Sequence, residues 1–219
     1  MSENFSLSAP VAYYTPDYSS TDYTTRYFRF KTASNDDSGE YTVLGTAVYY
    51  KIYGSSSTLT SQTNAIEALN TTSNGSSAAK KMIESYGYNE LGCSSGSRSP
   101  FIPGSDSKTV YIRLMSYGTD SEYAAKVIID GTEQSWLPLR SDNSKTFEFG
   151  RSDSTKYSNY ANNTTPSSSD DDVTGSSSDG VWYVNMYAVS VGRDANYTNY
   201  YSLVTHLGSV AIDSNSEGN

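Results

Sequence analysis

The sequence is poor in cysteine, in basic residues and in long apolar runs, and each shortage excludes one kind of bond, binding surface or structural element. One of the 219 residues is cysteine, Cys93, so no disulfide can form within the chain. Lys and Arg number 15 against 24 Asp and Glu, which excludes the basic surface that nucleic-acid binding requires. No stretch approaches the roughly 18 apolar residues of a membrane-spanning helix. We therefore expect no nucleic-acid partner and no transmembrane segment.

Hydroxyl side chains are abundant instead, with 40 Ser, 22 Thr and 21 Tyr. Tyrosine favours half-buried strand surfaces, where its ring packs and its hydroxyl stays wet or finds a partner. This composition predicts an all-β protein and is typical of extracytoplasmic proteins. The first residues lack the charged and apolar regions of a signal peptide, so we expect that any leader has been removed.

Alternation of apolar and polar residues marks the strands. Phe28 and Phe30 share one face of a predicted strand, and Arg29 and Lys31 share the other. The same pattern predicts strands at 45–53, 108–115, 124–130, 146–149, 181–191, 200–204 and 207–212. The inward rows are expected to contain Val48, Tyr50, Ile52, Val110, Ile112 and Leu114. Residues 136–139 are expected to lie on the surface.

Between residues 57 and 91 the period becomes helical. Ala79, Met82, Ile83 and Tyr86 form an apolar stripe, and Gly87 is placed to end a helix. We expect one or two short helices inserted between strands.

The predicted organisation is a polar N-terminal tail, 1–22, followed by one domain, 23–214. Three tail tyrosines, Tyr13, Tyr14 and Tyr18, also allow the tail to dock as an edge strand. The domain carries the helical insertion 57–91 and a flexible loop, 151–180. That loop has too few apolar residues to offset its ordering entropy of about 1–2 kcal/mol per residue.

The segment from Trp182 to Gly192, with Tyr201 and Ser202 after a turn, resembles the last two strands of a fibronectin type III domain. Strand 45–53 resembles the third strand of that family, and 27–31 the second. The resemblance implies an immunoglobulin-like antiparallel β-sandwich with a short helical insertion at about 60–90. Elaborated sandwiches of this kind are similar to uncharacterised surface lipoproteins of bacteria. With the strand pattern and the tyrosine-rich loops, this likeness leads us to expect a non-enzymatic extracytoplasmic module that binds a partner or builds a surface layer. The module is expected to be secreted or anchored at the bacterial cell surface through a lipid on its precursor.

One catalytic pattern is present. Residues 92–96 match the G-x-S-x-G nucleophile elbow around Ser94, and His206 lies downstream of it. An elbow requires a buried strand before the serine and a helix after it, whereas here a helix and Gly92 precede it and a Pro-containing loop follows. We therefore expect no enzymatic activity and keep a serine hydrolase as a remote alternative.

The density of Tyr, Ser, Gly and Asn is typical of recognition surfaces that bind a protein or glycan. The candidate ligand-binding residues lie on or beside predicted loops: Tyr157, Tyr160, Tyr197, Tyr200 and Tyr201. One alternative is a carbohydrate-binding module that stacks sugars on these rings. The other is that the rings simply cover outward strand faces, where tyrosine is favoured.

Acidic residues in the predicted flexible loop suggest a surface calcium site, because hard cations take oxygen ligands. The candidates are Asp170, Asp171, Asp172 and Asp179. A solvated acidic loop is the alternative, and no other cofactor is expected.

Overall fold

The computed structural model describes residues 7–96, 98–117, 120–141, 145–150 and 165–215. Two α-helices are described, α1 (Ser56–Leu69) and α2 (Ser77–Lys80), and α2 continues into a π-helical turn, Lys81–Ser85. Three short 3-10 helices are described as well, at Tyr23–Thr25, Thr72–Asn74 and Ser121–Tyr123. The strands of this part of the chain are β1 (Val11–Tyr14), β2 (Phe28–Lys31), β3 (Thr42–Tyr53), β4 (Asn89–Glu90), β5 (Gly92–Cys93), β6 (Ile102–Pro103), β7 (Thr109–Arg113), β8 (Lys126–Ile129), β9 (Thr132–Glu133), β10 (Pro138–Leu139), β11 (Val173–Thr174), β12 (Val181–Arg193), β13 (Asn199–Tyr201) and β14 (Thr205–Asp213).

Two sheets form a sandwich. The first is antiparallel in the order β1-β2-β7-β8-β9, and the second is built on the long antiparallel pair β3 and β12. Strand β12 also pairs with β13 and β14, whereas β3 pairs with β4, β6 and, in parallel, β11. Strands β5 and β10 form a separate antiparallel pair. The fold class predicted from the sequence, a mainly antiparallel all-β sandwich, is confirmed.

The main core lies between the two sheets. All six residues expected on inward rows are buried there, and Phe28 and Phe30 from β2 are buried with them. Arg29 and Lys31 on the opposite face of β2 are exposed, as alternation requires.

The helices cover the outer face of the second sheet. Tyr49 and Tyr187 point to this side of β3 and β12, and they pack against Leu59 and Ile66 of α1 and Met82 beyond α2. Because both faces of β3 and β12 are covered, nearly every residue along these strands is buried. The inserted helices therefore form a third layer.

Two sequence predictions about loop regions are wrong. Residues 136–139 were expected on the surface, but Trp136 is 7% exposed and packs edge-on against Phe101, and Leu139 is fully buried. Segment 146–149 was expected to form a strand; Phe147 and Phe149 are buried, but no strand pairing is formed there. A short apolar run can be buried in a brief strand pairing, as in β10 at Pro138 and Leu139, or as irregular coil, as at 146–149. The local sequence pattern does not distinguish these cases.

The N-terminal residues 7–18, which we name the strap, run along the sandwich. Strand β1 within the strap pairs with β2 at the edge of the first sheet. Farther along, the carbonyl oxygen of Pro10 accepts a hydrogen bond from Thr205 Oγ1, and that of Pro16 accepts one from Ser209 N at 3.0 Å. These contacts hold the strap against β14. Of the two arrangements that the sequence allowed for the tail, the docked edge strand is the one found for residues 11–14.

Candidate functional site

The predicted ligand-binding tyrosines do not form one surface. Tyr157 and Tyr160 lie outside the described residues. Tyr197 is 82% exposed in the turn between β12 and β13. Tyr200 donates a hydrogen bond to Asp194 Oδ2 at 3.3 Å, while Tyr201 points to the opposite face of β13 and packs toward the helical layer.

A denser group of tyrosines, which sequence analysis did not single out, lies on the outer face of the first sheet. The register places Tyr14 and Tyr111 on either side of Arg29, and Tyr27, two residues before Arg29, lies on the same face. Their rings stack in series, with centroids 4.3 Å apart for Tyr14 and Tyr27 and 5.0 Å apart for Tyr27 and Tyr111. Three further rings close one end of the group. We name the five rings at the surface the tyrosine face: Tyr14, Tyr23, Tyr27, Tyr111 and Tyr123. Tyr117 stacks with Tyr23 but is 4% exposed and belongs to the main core.

Arg113 of β7 fixes this face. Its guanidinium donates to Tyr111 Oη at 3.1 Å and to the backbone oxygens of Tyr23 and Thr24 at 2.9 and 3.1 Å. It also lies within 6 Å of the ring centroids of Tyr27, Tyr117 and Tyr123. The side chain is buried, so Arg113 acts as a rigid support for the rings around it.

On the helical side of the second sheet, the strap, α1 and β14 enclose a cleft of about 300 Å³. We refer to it as the cleft. Its walls are formed by Thr15, Pro16, Asp17, Tyr18, Leu59, Thr60, Thr63, Asn64, His206, Gly208 and Ser209.

His206 at this cleft is largely buried and uncharged. Its Nε2 lies 2.6 Å from Asn185 Oδ1, and its ring packs against that of Tyr187 with a centroid separation of 4.9 Å. Burial disfavours the protonated imidazole and lowers the pKa of His206 to about 4. The imidazole is therefore neutral at pH 7.

Two of the four predicted metal-binding aspartates, Asp170 and Asp172, are held by the same arginine. Asp172 is buried against Arg140, whose Nε donates to Asp172 Oδ2 at 2.8 Å, and Asp170 is shared by Arg140 and Lys145. Asp179 accepts hydrogen bonds from Ser177 and Val181, and Asp171 is exposed. Within the described ranges, no group of three or more His, Cys, Asp or Glu side chains is placed to hold a metal ion.

These contacts also dock part of the predicted flexible loop. Asp172 Oδ2 accepts a hydrogen bond from Tyr50 Oη on β3, and Val173 and Thr174 then pair with β3 as β11. Residues 165–180 are thus attached to the body of the protein, whereas 151–164 lie outside the described residues. The ion pair of Asp172 with Arg140 and the burial of Val173 in the main core together attach this segment.

Ser94 and His206, which the hydrolase alternative would pair, have other partners. Ser94 Oγ accepts a hydrogen bond from Leu137 N at 2.8 Å beside the β5–β10 pair, and His206 bonds to Asn185. The cleft escaped sequence reasoning because its walls come from residues nearly 200 positions apart in the chain. Within the described ranges, no helix has the length and apolar character to cross a membrane.

Comparisons with family models, curated proteins and solved structures found no match to this chain.

Proposed function

We propose that this protein is a non-enzymatic binding module at the bacterial cell surface and that its tyrosine face is the contact surface. The observation that carries the proposal is the set of stacked rings around Arg113 on the outer face of the first sheet. Tyr and Arg are enriched at the energetic centres of interfaces because they give large contact areas and directed hydrogen bonds. Rings already held by their neighbours lose little conformational entropy when a partner binds.

The geometry of the rings favours a protein partner over a stacked sugar. Tyr27 has one face against Tyr14 and the other against Tyr111, so it presents its edge to solvent. Stacking on a sugar needs an open ring face. Tyr23 is 46% exposed at the end of the tyrosine face and is the ring best placed to enter a partner's pocket.

The alternative is a carbohydrate-binding module in which Tyr197 contacts the glycan. The 82% exposure of Tyr197 favours this alternative. Tyr197 has a φ of 64°, a conformation unusual for a residue with a side chain, so the turn holds its ring outward at some conformational cost.

Strand pairing supports the finer proposal of a fibronectin type III-like sandwich. In such sandwiches the second strand pairs with the first in one sheet, and the third strand lies with the last two in the other. Here β2 pairs with β1 and β7, and β3 pairs with β12, which in turn pairs with β14. A surface location and a lipid anchor on the precursor are proposed from the lipoprotein likeness and the composition.

Two measurements test the location and the absence of catalysis. Protease added to intact cells of the producing bacterium is expected to cleave the protein while a cytosolic marker survives. Survival of both the protein and the marker would contradict a surface location.

A fluorophosphonate probe tests the absence of catalysis and is expected to leave the protein unlabelled. Labelling that disappears in Ser94→Ala would instead establish the hydrolase alternative.

Binding is tested with fluorescently labelled protein and isolated cell envelopes of the producing bacterium. We expect saturable binding that Tyr23→Ala weakens by about tenfold or more, the usual effect of removing an interface anchor. The matched control, Tyr197→Ala, removes an equally large exposed ring elsewhere and should leave binding unchanged. Loss of binding in Tyr197→Ala, together with saturable binding to a polysaccharide, would favour the carbohydrate-binding alternative.

A further inference from the structure

We propose that the cleft between the strap, α1 and β14 is a second binding site, which takes one neutral pyranose unit of a sugar. The unit is either a free monosaccharide or the terminal residue of a glycan. The cleft lies on the helical side of the second sheet, and the tyrosine face lies on the outer side of the first, so the two sites use different residues.

Hydrogen bonds at the base of the cleft determine which nitrogen of His206 carries the proton. The amide nitrogen of Asn185 donates to Tyr88 Oη at 2.8 Å and to Thr63 Oγ1 at 3.1 Å. Its Oδ1 is therefore the atom directed at His206, and it must accept a hydrogen bond from Nε2–H. Because the ring is neutral, Nδ1 then keeps its lone pair. The imidazole at the cleft is an acceptor suited to a ligand hydroxyl.

The walls combine polar groups with an apolar surface. The Thr63 hydroxyl accepts a hydrogen bond from Asn185, and the Asn64 amide supplies both a donor and an acceptor. Tyr18 and Leu59 supply an apolar wall, and the Tyr18 ring is held edge-on against Tyr183 with centroids 5.3 Å apart. A pyranose matches this combination, since its ring carries hydroxyls around its edge and C–H groups on its faces.

The negative charge of the cleft favours a neutral ligand over an anionic one. Asp17 is the one formally charged side chain among the described residues that line the cleft. Hydrogen bonds from the backbone and side chain of Ser19 lower the pKa of Asp17, so it is ionised at pH 7. An anionic sugar or a phosphate would be repelled and would find no Lys or Arg, whereas a hydroxyl can donate to this carboxylate. The volume of about 300 Å³ is at the small end for ligand pockets.

The test uses the fact that His206 is the single histidine in the chain. Protein labelled with ¹⁵N in histidine gives one pair of imidazole signals, which report the tautomer and any hydrogen bond to Nδ1. The probes are methyl β-glucopyranoside, methyl α-mannopyranoside, methyl β-galactopyranoside and N-acetylglucosamine. With at least one of them we expect a saturable shift of the Nδ1 signal while Nε2 stays protonated.

Two substitutions of exposed residues on α1 provide the test variant and its matched control. Asn64→Ala removes polar groups from the cleft and should weaken sugar binding by roughly 2- to 10-fold, the usual effect of losing one or two hydrogen bonds. Ser61 is exposed on the same helix outside the cleft, so Ser61→Ala should leave binding unchanged. Equal effects of the two variants would overturn the proposal, as would the absence of a saturable Nδ1 shift with all four sugars.

The source of the sugar is distinguished by adding short oligosaccharides of the sugar that binds. Tighter binding of the oligosaccharide indicates a glycan terminus, and equal binding indicates a free monosaccharide. Tyr23→Ala is expected to leave sugar binding intact. Failure of this test would therefore leave the proposed role of the tyrosine face untouched.

Discussion

At the scale of single residues, Asp172 joins segments from distant parts of the sequence. Its carboxylate accepts from Arg140 and from Tyr50 Oη, and Ser141 N donates to the same Tyr50 oxygen at 2.8 Å. Burial and the nearby Asp172 carboxylate raise the pKa of Tyr50 well above its ordinary value, so the phenol stays protonated and donates. The Arg140 side chain is 1% exposed, so its charge depends on these carboxylates for compensation.

Replacing Asp172 with asparagine should therefore destabilise the protein. Removing one partner of a buried ion pair costs about 3–5 kcal/mol, and we expect the low end because Asp170 still contacts Arg140. Urea unfolding followed by tryptophan fluorescence measures the change. The control is Asp171→Asn, an exposed neighbour that should change stability by less than about 0.5 kcal/mol. A loss for Asp172→Asn no larger than that of the control would show that the ion pair is not stabilising.

At the scale of elements, the strap depends on Gly208 of β14. Gly208 has a φ of 105°, and a Cβ atom there would lie 2.5 Å from the Pro16 carbonyl oxygen. A side chain at this position would be strained and would push the strap away from β14.

Gly208→Ala is accordingly predicted to cost at least about 1–3 kcal/mol and to expose the strap. Differential scanning calorimetry should show a fall of about 2–4 °C in Tm for each kcal/mol, and limited proteolysis should cleave earlier within residues 7–18. Gly39→Ala places its methyl group in open space and is the matched control. Similar Tm values and cleavage rates for the two variants would contradict the proposed packing of Pro16 on Gly208.

The strands and loops also show which parts of the fold could be predicted from the sequence. The sequence pattern identified β2, β3 and β7 with their inward rows, and it identified β12 as a strand, because the period of a strand is local information. It did not find the burial of Trp136, which depends on contact with Phe101 from another loop. The cleft could not be predicted either, because no local sequence pattern indicates that Pro16 and Gly208 are in contact.

The tyrosine face was predicted only in part from the sequence. The sequence predicted a tyrosine-rich recognition surface but assigned it to residues 157–201, because it treated loops as the favoured place for binding residues. The outward positions of Tyr27 and Tyr111 follow from strand alternation. Their grouping with Tyr14 and Arg113 depended on which strands are neighbours in the sheet, and a single sequence does not provide that order.

At the scale of the whole molecule, acid should destabilise the fold in two stages. The folded pKa of His206 is about 4, below the ordinary value near 6.5, so between these values the unfolded chain binds a proton that the folded chain does not. For Asp170, burial opposes ionisation, but hydrogen bonds from Lys145 and Arg140 outweigh it and lower the pKa to about 2. Its stabilisation is lost as pH falls from about 3.8 toward 2.

The first stage belongs to the single histidine. Between pH 7 and pH 5 the free energy of unfolding should fall by about 2 kcal/mol, measured by urea titration at each pH. His206→Gln removes the titrating group and should make stability nearly independent of pH in this window. An unchanged slope in His206→Gln would contradict the assignment of a buried neutral imidazole.

The proposed function of the whole molecule depends on where a partner makes contact. Hydrogen exchange of the protein, free and bound to isolated cell envelopes of the organism that produces it, tests this most directly. We predict that binding slows amide exchange in residues 23–31 and 109–113, which carry Tyr23, Tyr27 and Tyr111 of the tyrosine face. Slowed exchange confined to residues 193–201, or no change anywhere in the chain at saturating envelope concentration, would contradict a binding module that acts through the tyrosine face.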